Sequence, residues 1–190
     1  GKPLVIHTRS AAEDTIAIMR EERAGEAGGV MHCFTETWDV ASAAMDLGVH
    51  ISFSGIVSFK SARDLREVAR QIPLERMLIE TDSPYLAPVP YRGKRNEPSF
   101  VPYVAAAIAA ERGVDVIGYG MSGALRPEVK SSVSHRLVAR AIRATSHGLA
   151  FEVELDGDAI RIEVPVVGQF NVENLLGVLG VMHACGIDFA

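Results

Sequence analysis

The sequence predicts an α/β protein with a parallel sheet over residues 1–113, followed by a small α+β segment over residues 114–190. Three observations carry this. Short apolar runs alternate with helical periodicity several times before Gly113, the pattern of βαβ units. That alternation stops after Gly113, which places a boundary near 113/114. Beyond it, two alternating apolar–polar runs flank Asp156-Gly157, a strong hairpin signal, and an apolar helical stretch follows.

Taken in order, Pro3–Thr8 (PLVIHT) is a short apolar, β-branched run and reads as a buried strand. Ser10–Arg23 has helical periodicity, with Ala12, Ile16 and Met19 on one face. Gly28 and Gly29 break it, and Gly29–Phe34 is a second strand. Trp38–Leu47 is a helix closed by Gly48. His50–Phe53 is a third strand. Ser61–Gln71 is a helix with Ser61 as its N-cap, stopped near Pro73. Met77–Glu80 is a fourth strand, followed by a turn-rich segment, and Ser99–Arg112 is a helix ending at Gly113. In the second segment, residues 114–120 form a short strand and a loop runs through Pro127 to about Ser134. The hairpin strands are 149–155 and 159–164, and Asn171–Cys185 is a helix closed by Gly186.

Composition narrows the function. The chain is 48% hydrophobic and 23% charged, as a globular protein should be. A net charge of −5 argues against avid nucleic-acid binding through a basic face, although a metal could recruit phosphate locally. Cys33 and Cys185 are far apart and form no CxxC, so a reducing, cytoplasmic address is expected. No stretch reads as a signal peptide or a membrane span, so no membrane partner is expected. The first residue is not Met and the chain enters a strand at once, so both ends read as cut from something longer.

The candidate chemistry lies in the first segment. His7 and His32 end two successive strands, and Asp82 follows a strand two βα units further on. In α/β sheets the C-terminal edge of the strands is where ligands bind. Imidazoles and a carboxylate converging there suit a divalent cation, which lowers the pKa of a bound water. Asp82 could bind the metal, take the proton from the attacking water, or do both. The competing reading is that each histidine is a satisfied structural residue. Residues alone leave the two readings at even weight.

The strings HTRSA, MHCFTE, ISFSGIVSFK and LIETDSPYLAPVPYRGKRNEPSFV resemble, in order, the TatD family of metal-dependent hydrolases and deoxyribonucleases. The resemblance covers residues 1 to about 113. It implies a partial TIM-like β/α barrel of about four βα units and phosphodiester hydrolysis on DNA. It implies that His7 and His32 ligate one divalent ion (Mg, Mn or Zn) and Asp82 another. The loop carrying Arg92, Lys94, Asn96 and Glu97 would face substrate phosphate, its alternative being a solvated surface loop. Cys33 reads as a small core residue. The family pattern also has a His-x-His on its first strand and a bridging Glu, and this chain has no His-x-His. Activity is therefore expected to be weak or lost. A barrel fragment also leaves strand edges unpaired, so self-association is expected.

Gly148–Val153 and IEVPVVGQFNVENLLGVLGVMHACGI resemble the central domain of MurE-type Mur ligases, which use ATP to extend a peptidoglycan precursor. This second resemblance covers residues 114–190 and makes the chain look like a chimera. ATP use needs a GxxxxGKS/T loop, and the glycines at 118, 120 and 123 lead into none. No ATP binding is expected, and Lys130 is the only lysine in this half. Asn171 and Asn174 could touch nucleotide or cap the helix, with capping favoured. His135, His147 and His183 are read as structural or surface residues without convergent partners. The alternatives to a hydrolase are thus a Mur-ligase remnant acting only in binding, or a fusion of two fragments with no evolved function.

Overall fold

Four of the apolar runs become strands: β1 (Leu4–Ile6), β2 (Gly29–Met31), β3 (Val49–Phe53) and β4 (Met77–Ile79). They pair in parallel in the order β1-β2-β3-β4, with Ile6 opposite Met31, Met31 opposite Ile51 and Ile51 opposite Met77. Helices α1 (Ala12–Glu21), α2 (Trp38–Asp46) and α3 (Arg63–Gln71) make the three crossovers, and α4 (Val101–Arg112) follows β4. This computed structural model describes residues 2–122 and 133–187, which fall into two units, 1–113 and 114–190.

The first unit has one apolar core. Ile16 and Met19 of α1, Ala41 and Ala44 of α2, Leu65, Val68 and Ala69 of α3, and Val104 and Ile108 of α4 converge on Val49, Ile51 and Phe53. Alternate residues of β3 share one face, so these three all point at the helices. Each fully buried side chain of this size contributes roughly 1.5–3 kcal/mol by leaving water. The opposite face carries Ser52, with Val5 and Leu78 at 74% and 47% exposure. Gly29 has φ +157°, and a Cβ there would lie 2.3 Å from the Leu4 carbonyl oxygen, so only glycine lets β2 close on β1. The parallel layering matches the expectation. Barrel closure does not occur among the described residues: β1 and β4 are the two edges of an open sheet.

Two helix starts differ from the sequence reading. Ser61 does not cap α3, which begins at Arg63 with no side-chain cap. The Ala62 amide closes a turn onto the Phe59 carbonyl, which keeps Ser61 inside that turn. The last helix of the unit begins with a 3-10 turn, Pro98–Phe100, before α4. At its other end, the Arg112 guanidinium donates to the carbonyls of Ala69 (2.7 Å) and Ile72 (2.6 Å), occupying acceptors that the end of α3 leaves open. Glu111 meets Arg66 and Arg70 of α3, at 2.8 and 2.5 Å.

Among the described residues the second unit holds a four-stranded sheet, β5 (Ile117–Met121), β6 (His135–Thr145), β7 (Gly148–Leu155) and β8 (Asp158–Val164), with helix α5 (Phe170–Ala184). β5 and β6 are parallel; β6, β7 and β8 are an antiparallel meander. Leu137, Ala139, Leu149, Phe151 and Val153 form its core with Val172 and Leu176 of α5. Asp156 and Gly157 both have positive φ, 51° and 110°, as the mirror-image hairpin turn requires.

Strand β6 was not legible in the sequence. Its register shifts between Arg140 and Arg143, and Ala141 has φ +50°. Leu137 and Ala139 face the core before this bulge and Ile142 packs on it after, so strict alternation is broken. Asn171 does not cap α5: it lies inside the helix and its amide donates to the Val167 carbonyl at 2.7 Å. Asn174 is exposed, as is His147. His135 and His183, read as lacking partners, instead converge with Asp156. The loop at Pro127, with Gly123 and Lys130, lies outside the described residues.

Candidate metal centre

His32 stands one residue beyond β2, and Glu80 and Asp82 stand one and three residues beyond β4. Backbone bonds carry the ladder past the strand ends and fix these positions. The His32 amide donates to the Ile6 carbonyl (2.8 Å), the Phe34 amide to Ser52 (2.9 Å) and the Glu80 amide to Phe53 (2.9 Å). Cys33 and Asp82 then take left-handed conformations, φ 49° and 55°. This costs little for Asp but is unfavourable for Cys, and it turns the chain out of the sheet at the site.

The side chains meet above the strand ends. His32 Nδ1 lies 2.8 Å from Glu80 Oε1, and His32 Nε2 lies 3.3 Å from Asp82 Oδ1. Ser52 donates to Glu80 Oε2 at 2.5 Å and so holds the carboxylate from inside the sheet. Glu80 Oε1 is buried, yet its contact with His32 lacks the alignment of a hydrogen bond. A buried carboxylate oxygen without a donor is costly, and a cation among these three groups would satisfy it. One imidazole with two carboxylates suits a hard or borderline divalent ion.

His7 stands beside this group, its ring centroid 6.0 Å from that of His32. A cleft of about 410 Å³ runs between His7, Arg9, Thr35, Asp82 and Tyr85. The structure thus brings together His7, His32 and Asp82 and adds two residues that the sequence reading missed. In the sequence Glu80 reads as the last residue of a strand, where a carboxylate attracts no notice; its spacing of two from Asp82 is the available signal. Arg9, two residues after His7, supplies an exposed cation in the cleft.

The loop residues divide. Arg92 stacks on Phe59 with its guanidinium carbon 3.7 Å from the ring centroid, and Lys94 lies 5.5 Å from that of Tyr91. Glu97 accepts from the Ser99 hydroxyl at 3.2 Å. Asn96 is not placed to meet a substrate. It is 2% exposed, and its amide donates to the carbonyls of Thr81 and Tyr85 while its oxygen accepts from the Glu97 amide. It ties the 81–85 turn to the loop, and so helps hold Asp82. Gly55 brings the same loop in from the other side, since a Cβ there would meet the Leu86 carbonyl at 2.0 Å. Cys33 is buried against Ser54 (3.2 Å between Sγ and Oγ). Burial pushes its thiol pKa up, the hydrogen bond with Ser54 opposes this, and the charges of Asp82 and Glu80 add to the rise. Such a thiol is a poor nucleophile.

Parallel βαβ layers with an imidazole–carboxylate cluster at the strand C-terminal ends are the layout of a metal-dependent α/β hydrolase. Residues 1–119 match the family model described as TatD related DNase, and the chain belongs to that family. It is 56% identical over 116 residues to the uncharacterized metal-dependent hydrolase YcfH of Escherichia coli K12, covering 61% of this chain and 44% of YcfH. It is 40% identical over 120 residues to the 3′-5′ ssDNA/RNA exonuclease TatD of Edwardsiella piscicida, covering 60% of this chain and 46% of that protein. A crystal structure of a TatD family hydrolase from Entamoeba histolytica superposes with TM-score 0.53 at 26% identity, over 60% of this chain and 45% of that one. The chain spans about half the length of the curated relatives it matches. The family match ends inside β5, and these matches lend no support to the Mur-ligase resemblance or to a chimera.

Proposed function

We propose that the first unit holds a divalent cation, Mg²⁺, Mn²⁺ or Zn²⁺, through His7, His32 and Asp82, and acts on phosphodiester bonds of DNA. The observation that carries this is the His32–Glu80–Asp82 group beside a cleft that also contains His7 and Arg9. The ion, when bound, supplies polarisation of the phosphate and a more acidic bound water. The protein residues do the rest. Glu80 lies beside His32 Nδ1 and is held by Ser52, while His32 Nε2 lies beside Asp82. Asp82 faces the same point and takes the proton from the attacking water. Arg9 meets the phosphate from the cleft wall, and contact of the loop residues Arg92, Lys94 and Glu97 with the DNA strand belongs to the same proposal.

The sequence has no His-x-His, and with the residues it does hold cleavage is expected to be slow. Incubating labelled single-stranded DNA with each of the three ions, for the parent and for His7→Ala, His32→Ala and Asp82→Ala, tests the reading. The parent should cleave above background and the variants should not; equal rates in all four overturn it. Self-association through the β1 and β4 edges, where Val5 and Leu78 are exposed, belongs to the same proposal, and light scattering at monomer mass would remove it. A cytoplasmic address rests on two unpaired cysteines and on no helix among the described residues being long and apolar enough to cross a membrane. Cell fractionation tests it.

A further inference from the structure

The second unit carries its own constellation of ligating groups, built from three separate elements. His135 is the first residue of β6, Asp156 is the first residue of the β7–β8 turn, and His183 is in the last turn of α5. Antiparallel pairing sets Leu137 opposite Leu155, which brings the start of β6 beside the hairpin turn. His135 Nδ1 lies 2.6 Å from Asp156 Oδ2, and the His135 and His183 rings lie 4.8 Å apart by centroid, tilted at 72°. One ligand atom from each of the three residues falls within 4.8 Å of the other two.

We propose that His135, Asp156 and His183 form a binding site for a borderline divalent transition-metal ion of the Zn²⁺ class. Two imidazoles and one carboxylate are the ligand set of open zinc sites and of the two-histidine, one-carboxylate triads. The carboxylate is already oriented. Its Oδ1 accepts from the Arg136 backbone amide at 3.1 Å, which leaves Oδ2 turned to the histidines. Asp156 and Gly157 both hold positive φ, as a two-residue mirror-image turn does. That geometry needs Asp or Asn and Gly, but an Asn would meet it as well as an Asp. The turn therefore does not itself require the negative charge, which stands 2.6 Å from His135 Nδ1. Side-chain exposures of 37% for His135 and 43% for Asp156 leave room for water to complete the ion's shell.

The test is a Zn²⁺ titration of the full chain against a chromophoric chelator, repeated on His135→Gln, His183→Gln and His32→Gln. The two second-unit variants should each weaken one binding event by ~tenfold or more, while His32→Gln leaves that event intact. Zn²⁺ binding unchanged in both His135→Gln and His183→Gln overturns the site, as does a single event removed by His32→Gln alone. Should a variant fail to fold, imidazole ¹⁵N shifts of the parent decide: His135 and His183 signals that stay in place on adding Zn²⁺ overturn it. Because this site shares no residue with the first-unit cluster, failure of either reading leaves the other standing.

Discussion

The two units gather polar groups in opposite ways. In the first, β1, β2 and β4 are only three residues long, and the groups stand beyond the strand ends. Parallel pairing puts all C-terminal ends on one edge, so His7, His32, Glu80 and Asp82 meet although three crossovers separate them. In the second unit, strands of seven to eleven residues form a meander, and the polar cluster sits at one turn and one helix end. The parallel sheet makes a broad edge open to a cleft; the hairpin makes a point. The former draws its groups from the ends of three strands, the latter from one strand start, one turn and one helix end. Groups far apart in the chain thus reach one point by two different kinds of sheet.

The strongest way to break this comparison is to ask whether the units are separable in stability. Phe151 is fully buried in the second core, and Phe151→Ala should cost about 3–5 kcal/mol there. The chain's single tryptophan, Trp38, packs on the first core and reports that unit alone. Urea unfolding followed by Trp38 fluorescence should keep its midpoint in this variant while circular dichroism shows an early loss. A Trp38 midpoint that falls equally would mean one cooperative body and would dissolve the distinction.

A smaller effect sharpens the first unit's part. Glu80→Gln keeps the shape but removes the charge beside His32. Metal affinity should fall by roughly 10–100-fold, with a melting temperature close to the parent's. An unchanged affinity would demote Glu80 to a purely structural partner of Ser52.

The smallest effect concerns the turn. The hydrogen bond from His135 holds the Asp156 carboxyl below the usual carboxylate range; burial opposes it, and the Arg136 amide and the charges of His135 and His183 add to the lowering. A carboxyl lowered by folding adds stability above its unfolded pKa of about 3.9 and loses it as pH falls through the lower folded value. In metal-free protein, Asp156→Asn should thus melt slightly below the parent at neutral pH, and the gap should close in acid. A gap independent of pH would show that the charge contributes nothing.

Much of the first unit is legible because its rules are local. Apolar runs bounded by Gly28, Gly48 and Gly113 mark the strands and helices, and His7, His32 and Asp82 stand out as polar residues at strand ends. Glu80 was hidden because it only becomes unusual when Ser52 and His32 arrive from other strands. Asn96 misled in the other direction, since a polar residue in a basic loop reads as exposed until its carbonyl partners are placed. In the second unit the bulge at Ala141 broke the period-two pattern that identifies a strand. The convergence of His135, Asp156 and His183, separated by 21 and 27 residues, is set by strand pairing and helix packing, neither of which leaves a mark in local sequence.

The clasp of Arg112 on Ala69 and Ile72 bears on how this chain could be handled as modules. Every acceptor in that clasp precedes Arg112, and Glu111 likewise reaches back only to Arg66 and Arg70. A gene truncated after Gly113 would keep all these ties. It would also retain the left-handed Gly113 that ends α4, at φ 62°. The seam between the halves is therefore hemmed on its N-terminal side, and a cut or a graft there need not unravel the helix that ends at it.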